Sequence, residues 1–100
     1  MRKVYDNVDS SRFSCMRRDA QRQTRQFASQ YGYTIQKLQM PEGDNTTWRA
    51  VLAKGASSLE IAIKVSRNNN KLILEVVKMP SSIISAVAIR KVDAIYRHCG

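Results

Sequence analysis

Arg18, Arg22 and Arg25 follow one another at spacings of four and three residues, with Arg17 beside them and Asp19 as the only acid in the stretch. On a helix such spacings put side chains on one face. A solvated helix face ordinarily mixes signs, because opposite charges three and four residues apart support the helix. A row of guanidinium groups with so little carboxylate suits charge-assisted hydrogen bonds to phosphate or carboxylate groups outside the chain. Arg90, Lys91 and Arg97 form a second basic group near the C-terminus. Lys64, Arg67, Lys71 and Lys78 form a third, within a region of strand-like texture. The first two groups are the expected anion-binding residues, and the third is an expected second basic patch.

Other chemistry finds few parts. His98, the single histidine, stands beside Cys99 at the chain end. A nucleophilic Cys–His pair needs a third group to orient it, and no such group is evident. Zinc wants four ligands, and only His98 offers to join Cys15 and Cys99, so no metal and no cofactor is expected. The two cysteines read as reduced, buried thiols. The eight acids are scattered, and no glycine-rich loop joins a strand to a helix. The chain reads as a binder rather than an enzyme.

Composition agrees. Among 100 residues, 17 Lys and Arg stand against eight Asp and Glu, a net charge of +9. Such an excess repels itself in a compact state and implies an anionic partner. Apolar residues make up 43%, enough for one modest core. No apolar run reaches the roughly 18 residues of a membrane span, and the start lacks the apolar stretch of a secretory signal. An intracellular, cytoplasmic domain with peripheral membrane association is the expectation.

The elements that must position these residues follow from periodicity. Residues 1–10 show none and read as a flexible leader before a single domain over 11–99. Phe13, Met16, Ala20, Thr24, Phe27 and Tyr31 recur at helical spacing, with Ser10 or Ser11 to cap the start and Gly32 to stop it. Strands are expected at 33–38, 48–54, 59–66 and 71–79, the last two joined as a hairpin through Asn68-Asn69-Asn70. Pro80-Ser81-Ser82 opens a second helix, whose core stripe is Ile84, Val87, Ala88, Val92 and Ile95. The fold class is α+β, in the order α-β-β-β-β-α: a four-stranded antiparallel sheet with both terminal helices on one face.

Trp48 beside Arg49 is the one candidate stacking platform for nucleic acid, since 59–65 and 71–79 contain no aromatic residue. Ile73, Val77 and Met79 are expected on the outer side of the last strand, where they offer an apolar contact patch.

The element order, the Gly-aromatic step in Ser29-Gln30-Tyr31-Gly32-Tyr33, and the paired strands SLEIAIKVS and KLILEVVKM resemble the kinase-associated domain. That domain lies at the C-terminus of microtubule-affinity-regulating, checkpoint and SNF-related kinases. The likeness spans roughly residues 12–97 and is one of spacing and hydrophobicity rather than of fixed residues. These 100 residues contain no kinase domain, so either an excised fragment or a free-standing protein of the same shape is expected. The resemblance implies binding to anionic membrane lipids through clustered Lys and Arg, and regulatory contact with a kinase domain or other protein. Nucleic acid, RNA above all, is the alternative partner that the charge supports.

Overall fold

A computed structural model describes all 100 residues. The first helix, α1, runs Ser10–Tyr31. Its cap is Asp9 rather than a serine: the Asp9 carboxylate accepts from the Arg12 backbone N–H at 2.8 Å. Met16 and Ala28 are buried, and Phe13 and Ala20 pack against the core. Gly32 ends the helix with φ 74°, a left-handed conformation that a side chain would strain. Tyr31, expected on the core stripe, is instead exposed at the helix end and packs its ring 4.8 Å from Phe27. The second helix, α2, runs Ser82–His98, and Ser81 caps it by accepting from Ile84 N–H at 3.1 Å.

Between the helices, β2 (Thr34–Gln39), β3 (Thr47–Lys54), β4 (Ser57–Asn68) and β5 (Lys71–Lys78) form an antiparallel meander. The β4–β5 turn places Asn69 and Asn70 at φ 52° and 61°. Asn tolerates this conformation better than other side chains, and two such residues match the twist of a tight hairpin.

The sheet has five strands rather than four. The segment expected as a flexible leader contains β1 (Arg2–Tyr5), which pairs antiparallel with β5 and completes the order β1-β5-β4-β3-β2. Four residues that include two cations carry too little alternation to be legible as a strand. Their anchoring is tertiary. Val8 is fully buried and its N–H donates to Asn70 O at 2.7 Å. Tyr96 Oη donates to Asp6 O at 2.7 Å. Arg12 lies 3.7 Å from the Tyr96 ring centroid and donates to Tyr96 O at 2.7 Å.

One sheet face meets the helices. Ile63, Val65, Leu72 and Leu74 are buried there with Tyr5 and Val8, Met16 of α1, and Val92 and Ile95 of α2. The other face carries Arg49, Glu60, Lys64 and Glu75 on β3, β4 and β5. Only 15 residues are buried, a thin core that leaves much of the stability to cross-links and buried polar contacts.

The largest such link joins Cys15 to Cys99, 84 residues apart, in a disulfide with a Cα–Cα distance of 5.7 Å. This corrects the expectation of two reduced thiols. Spacing along the chain gives no sign that the end of α2 returns to the second turn of α1.

Tyr5 supplies a buried polar contact. Its hydroxyl donates to Asp93 Oδ1 at 2.5 Å, and burial, with that bond second, pushes its pKa above the ordinary 10.0. The unfolded tyrosine loses its proton first, so this contribution is complete below about pH 10 and fades as pH rises further. Tyr5→Phe should lower stability at neutral pH by about 2 kcal/mol and weaken the alkaline fall. Denaturant midpoints taken from pH 7 to 11 check both; an unchanged alkaline limb would contradict the assignment.

Candidate functional site

α1 and α2 lie antiparallel. The disulfide ties the second turn of α1 to the end of α2, while Thr24 and Phe27 share an apolar crevice with Ile84 and Val87. The crevice holds about 90 Å³, and Lys91 is part of its lining.

Arg18, Arg22 and Arg25 are exposed on α1. Helical geometry places them opposite Met16 and Ala20, on the side away from the sheet. Arg17 leaves the row. Its Nε donates to Pro41 O at 2.8 Å and its Nη2 pairs with Glu42 at 3.3 Å, so it clamps the β2–β3 loop. Arg90, Lys91 and Arg97 are exposed on α2. Ile83, Arg90 and Arg97 are spaced by seven residues and so share an outward stripe, and Ile83 is 74% exposed.

The carboxylates decide the character of this layer. Asp19 and Asp93 are the only acids in the two helices. Asp93 is turned towards β1, where it meets Tyr5 and, at 3.8 Å, Lys3. Asp19 is tucked beside α2, 3.0 Å from Arg22 and 3.7 Å from His98. Arg18, Arg25, Arg90, Lys91 and Arg97 have no ion-pair partner. Reading the sequence linearly misses how both acids are withdrawn, although the spacing of Asp19 from Cys15 and Arg22 hints at a shared side.

Lys64, Arg67, Lys71 and Lys78 do not form one patch. Lys78 bonds to Glu60 at 2.6 Å, and Arg49 joins the same carboxylate at 3.1 Å. The hydrogen bond from Lys78, then its charge, hold Glu60 below the usual carboxylate range. Lys71 stands 3.8 Å from Asp6. Arg67 reaches the other way, to Ser10 Oγ at 3.1 Å and over the Phe13 ring. Lys64 is exposed opposite Glu75 in the strand register. Internal carboxylates thus pair with Lys78 and Lys71, while Lys64 and Arg67 have no ion-pair partner.

Trp48 is not a stacking platform. It packs against the core, while Arg49, its neighbour, lies on the opposite face with Glu60. The apolar trio also divides: Met79 packs against the core, Ile73 is half-buried, and Val77 is 64% exposed where the β4–β5 register shifts.

The fold and its charges define a two-layer α+β domain with a cationic helical face. No protein-family model matches the chain, and no curated protein matches it in sequence. No helix is long and apolar enough to cross a membrane.

Proposed function

We propose that the domain works without catalysis, by docking the outer face of its helix layer onto anionic phospholipid surfaces. The observation that carries this reading is the withdrawal of Asp19 and Asp93, which leaves Arg18 and Arg25 on α1 and Arg90, Lys91 and Arg97 on α2 exposed and unpaired. Each cation near an acidic leaflet contributes about 1 kcal/mol. Five or six together give useful attachment that salt weakens, because these charges are screened over roughly 8–10 Å. Ile83 adds an apolar contact on the same α2 stripe. The resemblance to kinase-associated domains supports the same reading.

The association is peripheral. Disulfides persist in oxidising compartments, so the Cys15–Cys99 bond is compatible with an acidic surface that faces such a compartment. Nucleic acid engages the same cations through phosphate, but the open sheet face has no aromatic platform for single strands.

Co-sedimentation separates the two. The chain should pellet with phosphatidylserine vesicles and remain in solution with purely phosphatidylcholine vesicles, even with mixed RNA in excess. Loss of pelleting to RNA would transfer the face to nucleic acid. Equal pelleting with both vesicles would remove its electrostatic basis.

A further inference from the structure

Around the disulfide the fold gathers a fourth ligand, a carboxylate, beside the two sulfurs and the imidazole. Asp19 Oδ2 stands 3.8 Å from Cys99 Sγ and 3.7 Å from His98 Nε2. The ligand atoms of Cys15, Asp19 and Cys99 all lie within 4.8 Å of one another. We propose that the reduced form of this cluster, Cys15, Asp19, His98 and Cys99, is a zinc site, and that the pair of helix ends alternates between a disulfide and a zinc-bound dithiolate.

The distances suit the metal. Ligand bonds of about 2.0–2.3 Å in a tetrahedron place neighbouring ligand atoms about 3.3–3.8 Å apart. The contacts of Asp19 with its two neighbours already fall in or near that range. The two sulfurs need only separate to roughly 3.8 Å once the bond between them is broken. Asp19 is also oriented for the task. Arg22 holds Oδ1 at 3.0 Å and leaves Oδ2 towards the sulfur and the imidazole, and such an outer hydrogen bond fixes a metal-bound carboxylate. Two thiolates and a carboxylate around a divalent cation leave one negative charge, which Arg22 offsets. The group within 4.8 Å holds Cys15, Asp19 and Cys99 without His98. The imidazole, which touches Asp19 and is largely exposed, must therefore turn to complete the site and can do so without disturbing the core.

The chemistry balances. A dithiol reductant gives two electrons and two protons to the Cys15–Cys99 bond and becomes a disulfide itself. Zinc then displaces the two thiol protons into solvent and binds the thiolates. Neither form needs the chain to refold, because metal and disulfide tie the same two helix ends.

The test uses the full chain reduced with a phosphine, which is then removed. Zinc should bind the reduced chain at one ion per molecule and leave the oxidised chain unloaded. Cobalt in its place should show thiolate charge-transfer and tetrahedral ligand-field bands. His98→Ala and Asp19→Asn should each weaken zinc binding by about tenfold or more. His98 lies at the surface, so its variant keeps the fold. Failure of the reduced chain to bind or to fold with zinc overturns the site. So does equal binding by the oxidised chain, or unchanged affinity in both variants.

Discussion

Removing the Cys15–Cys99 bond should cost more stability than any other single change in the chain. The bond closes a loop 84 residues apart in sequence. On the chain-entropy account, such a closure contributes about 4–5 kcal/mol by narrowing the unfolded ensemble. A domain of this size holds about 5–15 kcal/mol in total, so the cross-link is a large share. The thin core makes the share larger, because 15 buried residues leave little other packing to compensate. In a domain of 60–100 residues each kcal/mol moves the melting midpoint by about 4–8 °C. The Cys15→Ser, Cys99→Ser double variant, melted in the presence of chelator, should therefore lose about 20 °C or more. The double change avoids leaving one odd thiol. A loss under about 5 °C would mean that the bond adds little constraint. Alkylation of the native chain before and after reduction gives the matching chemical count, with two thiols appearing only after reduction.

Much of this architecture was legible because its signals are local. The apolar spacing of α1 and α2, Gly32, and the clean alternation of β4 each follow from backbone geometry over a few residues. The Asn turn follows from tolerance of positive φ. What escaped was tertiary. β1 owes its place to Val8 in the core and to Arg12 and Tyr96 clasping the turn, none of which leaves a periodic mark. The disulfide joins residues whose proximity depends on the whole fold. Asp9 displaced the neighbouring serines as the cap because its carboxylate reaches the Arg12 N–H.

The candidate site shows the same division. Helical spacing alone put Arg18, Arg22 and Arg25 together, since one element carries all three. Arg17 left the row for a loop carbonyl and Glu42, partners 24 and 25 residues away. The hairpin cations read as a patch along the chain, yet cross-strand pairing set Lys78 against Glu60 and directed Arg67 to the helix side. Charge counting finds cations; only the packing shows which have been neutralised.

Reversing the α1 row should have the largest effect on binding. Arg18→Glu and Arg25→Glu remove two attractions of about 1 kcal/mol each, Arg22→Glu leaves Asp19 without its partner, and all three new carboxylates repel the acidic surface. Affinity for acidic vesicles should fall at least about 100-fold. Stability should change little, because exposed side chains away from buried groups rarely matter by more than about 0.5 kcal/mol each. Of the native ion pairs, the triple change breaks only Arg22–Asp19.

The open sheet face supplies the control. Lys64→Glu changes the charge there without touching either helix. The most direct measurement is therefore vesicle affinity of the triple α1 variant beside that of Lys64→Glu, both checked for native folding, on phosphatidylserine vesicles at low salt. Abolished binding in the first with nearly full binding in the second is the predicted result. Full binding by the triple variant, or an equal loss in both, would contradict a helical docking face.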